Sequence, residues 1–358
     1  MRRLTWHDQT LNTAIHWQCS DRQLEELARL LAGLGIRQAD ICLDGWRRYC
    51  PDLKGVQKYL HLRGRTSLAE PELGLAEQLG MKGVALVCNA ARQDRFNLLL
   101  ASAMRDADRR CLQSSLQLED IAVLSAPELA AIAEQVNGYD VASIIYDDRK
   151  AKGDPLSAFE QLVIIIRKVN CPVEVCLGNA FGLATANSLA AVKAGITHIT
   201  TAVAGIGGYA PWEEVVFAVK QLLGFDYELP QDMAGICQQA AAVLELSVPE
   251  SKAIIGQSIF AHESGLHVDG VIKSPELYEP FSPELVGLKR QLIIGKHSGS
   301  IAIKTKFSAW GIGLEDVECK HLLDRVRTLA VKKKAAITDT ELLQLYRSSL
   351  KEQNYART

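Results

Sequence analysis

The sequence predicts an α/β fold: a (β/α)8 TIM barrel followed by a smaller, mainly helical C-terminal domain. From residue 1 to about 225, short β-rich apolar runs alternate with amphipathic stretches of helical length, the pattern of repeated βα units around a parallel sheet. Eight such runs occur, and no glycine-rich turn follows the first one at Trp6, as an open doubly wound sheet would require. After Gly224 the alternation stops. The chain therefore divides into a barrel over 1–225 and a linker with a helical domain over 226–358.

The strands are expected at Arg3–Trp6, Ala39–Leu43, Tyr59–Leu62, Val84–Cys88, Cys111–Leu118, Val141–Tyr146, Val173–Leu177 and His198–Val203. Between the first two, Ser20-Asp21-Arg22-Gln23 is a capping box. It opens a helix whose one face carries Leu24, Leu27, Leu30, Leu31 and Leu34, and Gly33 and Gly35 stop it. A second box, Ser125-Ala126-Pro127-Glu128, opens the helix ahead of Val141. Pro155 opens another, with Leu162, Val163, Ile165 and Ile166 on its buried side. Asp226-Tyr227-Glu228-Leu229-Pro230 reads as the linker. The last helices fall around Leu322–Ala335 and Asp339–Leu350, with Lys332-Lys333-Lys334 as a solvated face.

The chain has 358 residues, enough to bury a large core, and its 40 basic and 42 acidic residues leave a net charge of -2. Such a balance provides no field to gather nucleic acid or an anionic membrane, so a small molecule or a protein is the expected partner. The basic start Met1-Arg2-Arg3 is followed by no apolar run of signal or membrane-spanning type, and the expected localisation is cytoplasmic. Nine cysteines, scattered from Cys19 to Cys319 without a C-x-x-C pair, fit small buried apolar residues better than a disulfide framework or a zinc knuckle.

A barrel of this kind does its chemistry at the C-terminal ends of its strands, and here those ends carry few convergent carboxylates and imidazoles. Asp8, Glu119, Asp120, Asp147 and Asp148 are present, with His7 and His16 nearby. Asp147 and Asp148 could bind a hard cation, but neighbours on a strand point opposite ways. Gly205-Ile206-Gly207-Gly208 could present N–H groups to a phosphate, although a tight βα connection is the plainer reading. Cys176 is a conceivable nucleophile, yet buried packing suits its apolar neighbours better.

The second domain is richer. Phe260-Ala261-His262-Glu263-Ser264-Gly265-Leu266-His267-Val268-Asp269-Gly270 and Gly295-Lys296-His297-Ser298-Gly299 set three of the eight histidines beside carboxylates, serines and glycines. Imidazoles placed in that way make orientable acids or bases.

These two segments resemble the H-x-S-G-x-H-x-D-G and G-K-H-S-G motifs of the homocitrate, isopropylmalate and citramalate synthases. The stretch from Gly182 to Gly195 resembles the helix after that family's metal-binding strand, so the likeness spans nearly the whole chain. It is strongest to the short homocitrate synthase of nitrogen fixation, since no leucine-sensing domain follows. The resemblance implies a barrel that condenses acetyl-CoA with a 2-oxo acid, a divalent metal acting as Lewis acid and template. In the family the ligands are an aspartate in D-T-T-L-R-D-G-E-Q, two histidines in H-x-H-N-D and an asparagine in G-E-R-x-G-N.

Carried onto this chain, the first motif becomes Asp8-Gln9-Thr10-Leu11-Asn12-Thr13-Ala14-Ile15-His16, with Asn12 for the catalytic arginine and Thr13 for the metal aspartate. The second becomes Cys176-Leu177-Gly178-Asn179-Ala180, and in the third Trp212 takes the asparagine position. The A-D-T-x-G substrate motif becomes Asp147-Asp148-Arg149-Lys150-Ala151. The divalent metal is accordingly expected to be lost and no cofactor is predicted, acetyl-CoA remaining as a candidate substrate or ligand.

The remnant of the substrate pocket would comprise Asp8, Asn12, Thr13, Glu119, Asp148, Arg149, Cys176, Asn179 and Trp212. Surviving catalytic candidates would be His267, Glu263, His262 and His297, acting in a partner's site, because the family exchanges this region within a dimer. The leading reading is a non-catalytic pseudo-enzyme, a homodimer or a heterodimer with a catalytically competent homologue, with an acyl-CoA or 2-oxo acid as ligand. The alternatives are an active homocitrate synthase-type acyltransferase, or a barrel turned to metal-free chemistry with Arg149, Lys150 or Cys176.

Overall fold

The computed structural model describes residues 4–44, 51–91, 96–263, 270 and 274–356. Eight parallel strands close into a barrel in sequence order. They are β1 (Thr5–Asp8), β2 (Gln38–Cys42), β3 (His61–Ser67), β4 (Gly83–Asn89), β5 (Gln113–Glu119), β6 (Ser143–Asp148), β7 (Val173–Leu177) and β8 (His198–Thr201). The barrel is closed by β1 against β8, from Thr5 opposite His198 to Asp8 opposite Thr201.

The helices that follow are built as their sequences dictate. Helix α1 (Thr10–His16) starts directly after β1. Helix α2 (Asp21–Gly33) begins at the Ser20–Gln23 capping box, buries Leu24, Leu27, Leu30 and Leu31, and is followed by Gly35 at φ +84°. Helix α3 (Lys54–Gln57) and α4 (Leu73–Gln78) are short, and α5 (Phe96–Arg109) is longer. Helix α6 (Ala126–Val136) uses the Ser125–Glu128 box, and α7 (Pro155–Lys168) is capped by Asp154 with proline in its first turn. Helices α8 (Ala184–Ala194) and α9 (Trp212–Leu223) complete the barrel.

The outward side chains of the strands are apolar and buried under these helices: Val84, Leu86, Leu116, Leu118, Ile144 and Tyr146. The inward ones are largely polar, unlike the branched aliphatic filling common in this fold. Arg63 on β3 reaches Asp40 on β2 at 2.7 Å and Glu174 on β7 at 2.9 Å. Ser143 on β6 donates to both Ser115 and Glu174. One layer higher, Arg65 donates to Gln117 and Gln9, and Gln117 donates to Asp147. These inward polar residues explain why β3 runs through His61–Ser67 while the apolar run in the sequence ends at Leu62.

Contacts divide the chain into two compact units, residues 1–248 and 249–358, whereas the sequence suggests a division after residue 225. The difference lies in helix α10 (Met233–Val243), which belongs with the barrel. Gln23 of α2 donates to the Val243 carbonyl at 2.9 Å, and a Cβ on Gly33 would meet Ile236 at 3.9 Å. The second unit has a small parallel pair, β9 (Ala261–His262) with β10 (Gln291–Leu292), and helices α11 (Ser300–Ala309), α12 (Asp316–Lys333) and α13 (Asp339–Ala356). Its core gathers Ile303, Phe307, Leu322, Val326 and Leu342.

Arg63 holds two carboxylates inside the barrel. Burial drives both acids up, but the Arg63 guanidinium outweighs it, holding Asp40 far below the usual range and Glu174 at about 2. Arg63→Ala would leave two uncompensated buried charges, and we expect it to lower unfolding stability by about 3–5 kcal/mol in urea titration.

Candidate functional site

The barrel has two polar poles. At the C-terminal ends of the strands an open cleft of about 520 Å³ is lined by Cys42, Asp44, Arg65, Asn89, Glu119 and Arg149 among others. Arg149 follows β6 and turns back into the mouth. Its guanidinium pairs with Asp147 at 2.9 Å and with Glu119. Although burial opposes its charge, these carboxylates keep it firmly protonated.

Cys176 ends up beside this group, where burial and the Asp147 carboxylate push its thiol far up, the opposite of an activated nucleophile. Tyr209 also faces Arg149 and Cys176, and burial raises its phenol. Gly178 runs against the Arg149 backbone so closely that a Cβ would lie 2.0 Å from the Arg149 carbonyl oxygen.

Asn12 accepts the Cys42 N–H at 2.9 Å and donates weakly to Gln9. Thr13 donates to the Gln9 carbonyl at 3.0 Å. A Cβ on Gly207 would lie 2.5 Å from Thr13 Oγ1 and 3.2 Å from the Tyr209 ring, so these three residues pack together. The residue that stands with Thr13, Cys176 and Gly178 is therefore Tyr209. Trp212, expected there from the sequence, lies fully buried in the first turn of α9, edge-on to Trp6 at 6.4 Å and behind the barrel wall.

Three other predicted residues serve the backbone. Asp8 accepts from Thr10 Oγ1 at 2.7 Å and from the Leu11 N–H at 2.8 Å, and burial raises it to about 6 despite these bonds. Asp148 points away from Asp147 and accepts the N–H groups of Lys152 and Gly153, both at 2.9 Å. Asn179 caps the turn into α8 by accepting from Ala184 at 3.2 Å. The glycine turn at 205–208 is a connection in which Gly205, Gly207 and Gly208 all have positive φ.

In the second unit, His262 Nε2 lies 3.4 Å from Glu279, which Arg290 holds at 2.7 Å. Glu263 accepts the His297 N–H at 2.8 Å and so fixes the second glycine–histidine motif. His267 lies outside the described residues.

The other pole was missed in the sequence. At the N-terminal ends of the strands His7, Glu174 and His198 each offer a ligand atom, all within 4.8 Å of one another. They lie beside a cavity of about 290 Å³ that Arg63, Ser115 and Ser143 also line. The donors are 167 and 24 residues apart in sequence, so no spacing motif announces them.

A scan against family models matches residues 90–243 to the HMGL-like family and residues 254–334 to the homocitrate synthase post-HMGL domain-like family. Homocitrate synthase 1 of Nostoc sp. is 42% identical over 207 residues, covering 57% of this chain and 54% of that protein. The chain belongs to the homocitrate synthase and 2-isopropylmalate synthase family. 2-Isopropylmalate synthase 2 of Caldanaerobacter subterraneus is 37% identical over 251 residues, 69% of this chain and 65% of that protein. The chain thus spans between half and two thirds of the length of these synthases. Among solved structures, hydroxymethylglutaryl-CoA lyase from Pseudomonas aeruginosa shares the fold with a TM-score of 0.55 at 14% identity, covering 69% of this chain and 94% of that one.

Membership in this synthase family and the His7–Glu174–His198 group correct one expectation, that the divalent metal is lost. At the rim, Thr13 is bonded to the Gln9 carbonyl, Cys176 is a protonated thiol, and the Arg149 guanidinium is paired with Asp147. The other pole fits a cation, since two imidazoles and a carboxylate suit a divalent transition metal. Among the described residues no helix is long and apolar enough to cross a membrane.

Two outcomes follow at the rim. In folded protein at mildly alkaline pH, iodoacetamide should label the exposed Cys111 and spare Cys176, as peptide mass mapping would show. Gly178→Ala should destabilise the barrel by about 1–3 kcal/mol in thermal unfolding, because its Cβ overlaps a carbonyl that cannot rotate away.

Proposed function

We propose that this homocitrate/isopropylmalate synthase-like chain is an accessory member of its family, one that does not run the condensation at its own barrel rim. The observation that supports it most is Arg149, whose guanidinium lies among Asp147, Glu119, Cys176 and Tyr209. That guanidinium is already committed to two carboxylates and Asn12 is bonded to the β2 backbone, so neither is free to polarise the carbonyl of a 2-oxo acid. What remains is a binding cleft. Arg65 is bonded there to the neutral amides of Gln117 and Gln9 and so retains charge for an anionic ligand such as a 2-oxo acid or an acyl-CoA.

On this reading the chain works in a dimer, with itself or with a competent homologue, in the cytoplasm. The histidine motifs of the second unit, His267 included, would be its contribution to the partner's chemistry. Glu263, His262 and His297 would position that segment.

The second reading, that this chain itself condenses acetyl-CoA with a 2-oxo acid, draws on the relatives being synthases. One assay separates the two. Purified chain supplied with acetyl-CoA, divalent metal and 2-oxoglutarate, pyruvate or 2-oxoisovalerate should release no coenzyme A thiol above the blank. Metal-dependent release would establish the synthase instead. Co-purification from the native cell should yield a competent homologue, whose rate falls when His267→Ala replaces the wild-type chain. A complex indifferent to that change removes the accessory role.

A further inference from the structure

We propose that the N-terminal pole of the barrel is a structural site for one divalent transition-metal ion, held by His7, Glu174 and His198. The donors sit on β1, β7 and β8, so the ion would fasten the seam at which the first and last strands close the barrel.

Two independent observations point to a ligand there. The first is geometric. His7 Nε2 and Glu174 Oε2 are 3.6 Å apart, and the three donor atoms lie within 4.8 Å of one another. Donors about 2.0–2.2 Å from a shared tetrahedral ion are separated by about 3.4 Å, so small side-chain shifts complete the set.

The second is an unmet demand. His7 is 5% exposed, and among the described residues neither of its ring nitrogens has a partner at hydrogen-bond distance; Nδ1 of His198 is buried and likewise unpartnered there. Buried polar atoms are rarely left in that state, and each costs free energy until something satisfies it. A doubly protonated His7 held by Asp40 and Glu174 is the competing account. Its contacts, both 3.6 Å, are much longer than the charge-assisted bonds such a pairing would form.

The surroundings are arranged as an outer ligand shell. Asp40 Oδ1 faces His7 Nδ1, the position of the carboxylate that orients a metal-binding imidazole. Arg63 and Ser143 fix Glu174 before any ion arrives, and Arg63 also fixes Asp40. Asp40 and Glu174 together exceed the Arg63 charge by one negative unit, which favours a cation. Two imidazoles select the zinc, cobalt or nickel class over magnesium or calcium. The cavity beside half-buried His198 supplies an entry path and room for a water in an open position. This pole lies opposite the catalytic face of such barrels, so the ion's role is to stabilise.

The test uses full-length chain stripped with a chelator and titrated with cobalt(II). One ion should bind per chain, with visible d–d absorption and no thiolate charge-transfer band, and the melting temperature should rise with metal. Because Glu174→Gln also breaks the Arg63 pair and can unfold the barrel, His198→Gln is the primary variant. It should keep the wild-type circular dichroism and bind cobalt at least about 10-fold more weakly. Absence of binding overturns the site. So does binding that survives His198→Gln, or binding that is lost on Cys176→Ser.

Discussion

The barrel depends on one buried cation. Arg63 stands inside the sheet and ties β3 to β2 and β7 through Asp40 and Glu174, and Ser143 and Ser115 complete the layer. In a medium of low dielectric such ties are strong, and here both carboxylates are held ionised by the same guanidinium. The consequence is a barrel whose interior is specified by hydrogen bonds as well as by volume. His7 and His198 are the members of this layer whose hydrogen-bonding capacity is left over.

The upper layer repeats the logic with a different result. Arg149 enters the mouth from the loop after β6, is met by Asp147 and Glu119, and keeps Cys176 and Tyr209 as neighbours. A long cationic side chain thereby fills part of the mouth. The close approach of Gly178 to the Arg149 carbonyl builds this arrangement into the backbone as well. In the second unit, His262 and His297 have local partners. Glu263 secures the His297 loop, and Glu279 joins His262 to Arg290.

Much of the fold was legible in the sequence because its signals are local. Capping boxes at Ser20 and Ser125 and the proline after Asp154 each start a helix where expected. The seventh strand, Val173–Leu177, is apolar but for Glu174 and is bounded by Pro172 and Gly178, and its limits were readable without error. Strands β1 and β3 were displaced because their C-terminal halves carry His7, Asp8, Arg63 and Arg65. Polar residues in a strand read as a strand's end unless the interior they face is known to be polar too.

The sequence by itself determined the closed barrel, the helical second unit and the family. Only the tertiary structure decided which residues share a pole. It set Tyr209, and not Trp212, beside Cys176, because α9 turns Trp212 outward against Trp6. It also brought His7, Glu174 and His198 to one point, since barrel closure places the first strand against the last. Helix starts and strand periods are written in neighbouring residues. Proximity between distant strands is a property of shear and closure, which no local spacing encodes.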